Sequence, residues 1–375
     1  METAQLATAS YWESGKIDLR LNPRREFAAG GLLEFLSEEV GIRHSVVMAT
    51  SGSSGDPKFV VLSKEALLAS ARAVAAHLDL SAEDSWLAGL SDFHVGGLGM
   101  FARAYVTGAA VTQFERATWE RDGGSFVRAL RDCEARWTSL TPTHLHDLVI
   151  HKVPAPASLR GVLLGGGRID PVLVDEAMSR GWPVHASYGM TEACSQIATG
   201  SPGESTWLPI LPGWETELAM DGRLRIRGEA LFSGYAMPKD GGWSFDGDKD
   251  REGWFITGDR CELREGKLRH CGRADDLVKV LGELVSVSAV ESRVSEIAAR
   301  YGLASTVVAM PEDRRGHVLV ALLETNDESR ECRKLLSDTL TGLERLDQIL
   351  AVEELPRTDL GKIDRAALRD SLTPS

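Results

Sequence analysis

The chain has 375 residues, of which 43% are hydrophobic and 26% charged, with no low-complexity tract; it can hold more than one minimal domain and bury a sizeable core. Its formal net charge of −13 argues against nucleic-acid or anionic-membrane partners, which want a basic face, but leaves room for a local basic pocket around an anionic nucleotide. The start, METAQLATASYWESGK, lacks the basic and apolar stretches of a signal peptide, no apolar run reaches membrane-spanning length, and the five cysteines contain no C-x-x-C. Neither membrane insertion, a disulfide framework nor a zinc site is expected, and a reducing cytoplasm is the expected setting.

In chain order, the first expected elements are two apolar strands, 45–49 and 59–62, joined by TSGSSGDPK at 50–58. Such a Gly/Ser-rich loop can offer backbone N–H groups and hydroxyls to a phosphate, with Lys58 as a point charge; an ordinary hairpin is the alternative. It departs from the Walker pattern, because Pro57 precedes Lys58 and Phe59 follows it. Next, apolar residues at Leu67, Leu68, Ala71, Val74, Ala75 and Leu78 predict a helix that Ser63 caps, with Glu65 in its first turn. Strands are expected at 137–140, 162–164 and 184–187, with helical patterns between them, which is the α/β signature. From about 205 to 270 the texture changes to short strands and turns. The last hundred residues read as a separate α+β unit, with strands at 306–310 and 317–323 and a helix near 328–340.

Several stretches carry candidate chemistry. Gly165, Gly166 and Gly167 follow an expected strand and let a flat ligand lie against bare backbone. In SYGMTE, Tyr188 offers an aromatic face, Gly189 close approach, Thr191 a hydroxyl and Glu192 a hard oxygen ligand for Mg²⁺. In WFITGD, Asp259 can accept both hydroxyls of a ribose. GRADDLVK at 272–279 stands at the change of texture. In LPRTDLGKIDR, Lys362 lies in a Gly-marked loop before a short helix that Asp364 can cap. Taken singly, each is also readable as a turn or a solvated loop. Cys194 has no evident neighbouring base and reads as a packed thiol. His144 and His146 in TPTHLHD would share a face on a strand, but with no third ligand in suitable spacing they read as ordinary histidines.

The order of TSGSSGDPK, YGMTE, FITGD, GRADDLVK and PRTDLGK closely resembles the adenylate-forming superfamily of acyl-CoA synthetases, luciferases and peptide-synthetase adenylation domains. The resemblance runs from about residue 45 to 366. It implies a large α/β domain over 1–274, shortened at its N-terminus, and a small mobile α+β domain over 275–375 with its hinge at Asp275. It also implies formation of an acyl-adenylate from a carboxylate and ATP with Mg²⁺, then transfer to a thiol such as coenzyme A. On that pattern Thr50, Ser51, Gly52, Ser53, Ser54, Gly55 and Lys58 cradle phosphates. Gly165, Gly166, Gly167 and Tyr188 flank adenine, with Gly189 and Met190 beside them. Thr191 meets the α-phosphate, Glu192 the Mg²⁺ and Asp259 the ribose, with Arg273 nearby. Lys362 bridges the carboxylate and the α-phosphate. Rotation of the small domain withdraws Lys362 and brings the segment around Gly282 toward the entering thiol.

The stretch DFHVGGLGMFAR at 92–103 resembles the acyl-pocket segment of o-succinylbenzoate–CoA ligases of menaquinone synthesis, as do YGMTEACSQIAT and LLGGG. That resemblance implies His94 as a gate residue and Arg103 as the partner of a second carboxylate, with Gly189 and Ser195 near the acid. A surface arginine and a hydrogen-bonded structural histidine are the alternatives. Fewer residues precede the phosphate loop than the family usually has, which bears on the acyl pocket. Another small aryl- or acyl-CoA ligase, a carrier-protein-loading adenylation enzyme and a non-catalytic nucleotide-binding module are the other readings. A homodimer is a further implication of the resemblance.

Overall fold

The computed structural model describes residues 3–51, 57–115, 118–120, 122–239, 241–326, 329–357 and 363–372. Of the expected site residues, Gly52, Ser53, Ser54, Gly55 and Lys362 lie outside that set.

After β1 (Asp18–Arg20), strands β2 (Ser45–Ser51) and β3 (Pro57–Ser63) pair antiparallel, with Thr50 opposite Lys58. TSGSSGDPK therefore joins two strands, as its flanking apolar runs require. Ser63 caps the helix Lys64–His77: its hydroxyl accepts from the Ala66 N–H at 3.0 Å.

Strand and helix then alternate through β4 (Ser85–Ala88), the helix Val95–Thr107, β5 (Ala110–Gln113), the helix Gly124–Asp132, β6 (Trp137–Leu140), the helix Pro142–Ile150, β7 (Gly161–Leu164), the helix Pro171–Ser179 and β8 (Val184–Met190). A 3₁₀ turn, Thr191–Ala193, reverses the chain into β9 (Ser195–Thr199). These strands form a sheet in the order β5-β4-β6-β7-β8-β9, parallel except for β9. Every residue of β6 and β7 is buried, as expected of parallel strands covered on both faces. Phe126, Leu140, Leu148, Val162 and Trp182 pack into one core cluster beside them.

Residues 142–150 are one of the helical stretches expected between the strands, so the strand placement on which His144 and His146 would share a face does not apply. TPTHLHD is helical: Thr141 is the N-cap in a capping box with His144, and Pro142 opens the first turn. Residues two apart on a helix point roughly 200° away from each other, so His144 is buried while His146 is not. Among the described residues no group of three or more His, Cys, Asp or Glu side chains could hold a metal ion.

The following segment carries β10 (Leu208–Pro209), β11 (Trp214–Leu218), β12 (Arg223–Gly228), β13 (Gly234–Lys239), β14 (Gly242–Asp246), β15 (Phe255–Arg264) and β16 (Lys267–Arg273). Two sheets result, ordered β1-β2-β3-β13-β14 and β10-β16-β15-β12-β11. The rest comprises β17 (Leu277–Val280), β18 (Glu283–Ser286), the helix Val287–Ala299, β19 (Ala304–Glu312), β20 (Gly316–Glu324), the helix Arg330–Thr339, β21 (Leu346–Val352) and the helix Arg365–Leu372. Its sheet runs β18-β17-β20-β19, with β21 on β20.

The chain divides into two compact units. One holds residues 1–219, 225–257 and 262–269, and the other 220–224, 258–261 and 270–375. The second has its own core of Val290, Val294, Val307, Leu319, Leu323 and Leu336. Among the described residues no helix is long and apolar enough to cross a membrane.

Candidate active site

In the first unit, β7 ends beside β8, with Leu164 opposite Ala186, while β8 runs on to Met190. The triple glycine leaves the end of β7, and Tyr188 lies beyond the part of β8 that pairs with β7, opposite Ala198 of β9. Ligands of open α/β sheets gather at such carboxyl ends. Ser187 Oγ donates to the Leu164 carbonyl at 2.9 Å, and a Cβ at Gly165 would come within 2.7 Å of that hydroxyl. The first glycine thus lets the two strands close together.

Past Tyr188 the strand bulges and turns back tightly. Met190 pairs with Ser195, and Cys194 and Ser195 have φ of 51° and 130°. Both lie in backbone regions that cost non-glycine residues energy and persist only where surroundings enforce them. A Cβ at Gly189 would fall 1.7 Å from the Ser195 carbonyl oxygen, so glycine is obligatory there. Cys194 is 1% exposed and burial pushes its thiol pKa far up. That leaves no thiolate for nucleophilic work. Iodoacetamide at neutral pH is expected to spare Cys194 while labelling the exposed Cys271, checked by peptide mass mapping.

Within the 3₁₀ turn Thr191–Ala193, the Glu192 carbonyl accepts from the Phe232 N–H at 2.7 Å, and Glu192 Oε1 accepts from the Tyr235 hydroxyl at 2.7 Å. Lys58 Nζ sits 5.0 Å from the centroid of the same Tyr235 ring, a cation–π distance. Tyr235 therefore ties the lysine of the hairpin to the acid after β8. Sequence reasoning missed it, because only the β3–β13 pairing, with Tyr235 opposite Val60, brings position 235 to this place. A glutamate carboxylate is a hard oxygen donor of the kind Mg²⁺ takes alongside phosphate oxygens and water, and Glu192 fits that chemistry.

Of the residues expected beside the acid, His94 and Arg103 lie at the start of and within the helix Val95–Thr107, and Ser195 opens β9. His94 stands at the helix start, its carbonyl accepting from the N–H groups of Gly97 and Leu98, with its ring 4.7 Å from that of Phe93. Arg103 is not a surface residue. It is 1% exposed, and its guanidinium carbon lies 5.0 Å from the Trp86 ring centroid. Its Nε has no hydrogen-bond partner, and among the described residues no carboxylate pairs with it. Burial alone pulls its pKa down, to about 9, which leaves it charged at neutral pH. The sequence expectation of an exposed alternative fails because this helix face packs against β4. Arg103 and Ser195 both border Gly99: a Cβ built on Gly99 would lie 3.2 Å from Arg103 Nη1 and 3.6 Å from Ser195 Oγ.

In the second unit Asp259 is nearly buried, with Arg273 Nη1 at 3.5 Å and His270 Nε2 at 3.7 Å from Oδ1. A Cβ at Gly258 would stand 2.7 Å from Arg273 Nη2, so the glycine of TGD admits the guanidinium. Asp275 belongs to the 3₁₀ turn Ala274–Asp276. Gly282 has a φ of +89° in the turn between β17 and β18. Arg357 and Ile363 form an antiparallel bridge on either side of the Lys362 segment, and Asp364 Oδ1 accepts from the Ala367 N–H at 3.1 Å, capping the last helix as its sequence suggests.

Residues 43–236 match the family described as AMP-binding enzyme. The chain belongs to that family. It is 33% identical to the 2-succinylbenzoate–CoA ligase of Listeria monocytogenes over 88% of its own length and 70% of the relative's. It is 32% identical to the enzyme of the same name from Escherichia coli, over 86% of this chain and 67% of that one. An o-succinylbenzoate CoA synthetase from Bacillus subtilis, solved with the acyl-adenylate intermediate, superposes with a TM-score of 0.73 at 27% identity, covering 88% of this chain and 69% of that one. The α/β fold class and the adenylate-forming chemistry implied by the sequence motifs hold for this AMP-binding enzyme.

Proposed function

We propose that this AMP-binding enzyme is an AMP-forming acid–CoA ligase that activates o-succinylbenzoate. The observation that carries the choice of acid is Arg103, a buried guanidinium with no anion beside it among the described residues. A buried unpaired charge is costly unless a partner arrives. A dicarboxylic aryl acid can react at one carboxylate and place the other against Arg103, beside the Ser195 hydroxyl, in a charge-assisted hydrogen bond. A monocarboxylic acid leaves the guanidinium unmatched. The names of the relatives agree with this acid.

In the first half-reaction the substrate carboxylate attacks the α-phosphorus of ATP and pyrophosphate leaves. Residues 50–55 and Lys58 hold the β- and γ-phosphates, and Thr191 the α-phosphate. Gly165, Gly166, Gly167 and Tyr188 bracket adenine, with Gly189 and Met190 lining the same edge, and Asp259 takes the ribose with Arg273 beside it. When Mg²⁺ is bound on Glu192 it offsets phosphate charge. Lys362 brings the two anions together and stabilises the charge that builds on the phosphoryl oxygens. In the second half-reaction the CoA thiol attacks the acyl carbonyl and AMP leaves. The unit beyond the hinge at Asp275 then turns, with 1–274 as the fixed domain and 275–375 as the moving one. Lys362 withdraws and Gly282 lines the thiol's path, while His94 gates it. Cytoplasmic location and a homodimer complete the reading; light scattering would test the latter.

The deciding assay is ATP- and CoA-dependent ligation of o-succinylbenzoate beside benzoate and a medium-chain fatty acid. Strong preference for o-succinylbenzoate is the expected result. Equal turnover of the monocarboxylates would discard the acid while keeping the chemistry. Pyrophosphate exchange without CoA transfer would point to carrier-protein loading. Glu192→Gln is expected to raise the Mg²⁺ concentration for half-maximal ATP–pyrophosphate exchange about tenfold or more, and Tyr235→Phe to raise it less. An unchanged Mg²⁺ requirement in Glu192→Gln would remove Glu192 as the metal ligand.

A further inference from the structure

The helix that carries Arg103 holds three glycines, at 96, 97 and 99, in a segment where glycine weakens a helix. Packing explains Gly97: a Cβ there would stand 2.0 Å from the Ser91 carbonyl oxygen, an impossible approach to backbone. Gly99 is different. The three nearest atoms to its added Cβ are Arg103 Nη1 at 3.2 Å, Ser195 Oγ at 3.6 Å and Arg103 Cζ at 3.8 Å. All belong to side chains, and none to the backbone that would make glycine a steric necessity of the fold. The guanidinium cannot simply swing aside, since it is 1% exposed and lies over Trp86 on β4, which is itself 1% exposed and stacked on Trp137 at 5.8 Å. Gly99 and Arg103 are four apart, so on a helix they share a face.

We infer that Gly99 is a specificity-determining position: its missing side chain leaves the Arg103 guanidinium and the Ser195 hydroxyl open to one and the same guest, the remote carboxylate of the acid. This rests on the o-succinylbenzoate reading above. Trp86 acts as the positioning residue behind the guanidinium, and Ser195, held at a φ of 130°, supplies the neutral donor. A methyl at 99 displaces Arg103 Nη1 or shields it, and either outcome strikes the dicarboxylate alone. ATP, held by other residues, is untouched.

The test is calorimetric titration of o-succinylbenzoate and, separately, ATP into the wild-type protein, Gly99→Ala and Gly99→Ser, with the Tm of each. Gly99→Ala is expected to weaken o-succinylbenzoate binding about tenfold or more, leave ATP affinity unchanged and keep or raise the Tm, since alanine is the better helix former. In steady state the loss should fall on KM rather than on kcat. Gly99→Ser is expected to behave alike. Unchanged acid affinity in both variants would overturn the inference, as would an equal loss for acid and ATP. Failure of both variants to fold would also overturn it, because the glycine would then serve packing. A wild-type protein that binds benzoate as well as o-succinylbenzoate would overturn the substrate reading itself, a result read without any variant.

Discussion

Replacing Lys362 with alanine is expected to lower the rate of acyl-adenylate formation by about 10³-fold or more, the scale on which enzymes lose phosphoryl- and acyl-transfer rates when one positioned cation or donor is removed. The same variant should still transfer the acyl group to CoA when supplied with preformed acyl-adenylate. The asymmetry follows from charge. Adenylation brings a carboxylate anion against a triphosphate, and repulsion between them must be offset while negative charge grows on the phosphoryl oxygens. Thiolysis starts from a neutral acyl carbonyl and releases AMP, so it makes no such demand. Single-turnover measurement of each half-reaction checks the prediction. Equal loss in both would mean that Lys362 supports the protein or the nucleotide site at large.

Arg103→Met should give the second-largest effect, and in two opposite directions. A buried guanidinium paired with a substrate carboxylate is worth about 2–5 kcal/mol on truncation, so kcat/KM for o-succinylbenzoate should fall by roughly 30- to 5000-fold. Any residual turnover of benzoate should be unchanged. Yet the free protein should become more stable, by about 1 kcal/mol or more, because a desolvated charge without a counterion is replaced by an apolar side chain of similar length. Burial alone depresses the arginine pKa, with no carboxylate opposing it. The charged form therefore costs stability at every pH below about 9, and that cost shrinks as pH rises toward the ordinary arginine range. A thermal scan beside the kinetics decides the matter. A lower Tm together with equal losses for both acids would make Arg103 a structural residue.

Local features were legible in the residues because they depend on only a few neighbours. Ser63 caps its helix, three glycines leave a strand end, TSGSSGDPK spans a hairpin and Asp364 caps the last helix. Each rests on backbone preferences or on a side chain reaching its own main chain. The helix start at TPTHLHD is local too: Thr141 followed by Pro142 is a helix-opening signal, and the helix turns His144 and His146 to different faces.

The sequence by itself determined the order of the adenylation motifs, and with it the family and the chemistry. It could not determine what surrounds Arg103, because burial depends on which face of Val95–Thr107 meets β4 and β9, elements on either side of it in the chain. Nor could it join Glu192 to Tyr235, 43 positions apart, or show that Gly99 faces a guanidinium and a hydroxyl rather than backbone. Those pairings arise when sheets and helices stack. The apolar surface that drives the stacking is non-directional, so the partners of each polar group are fixed only once the layers have closed.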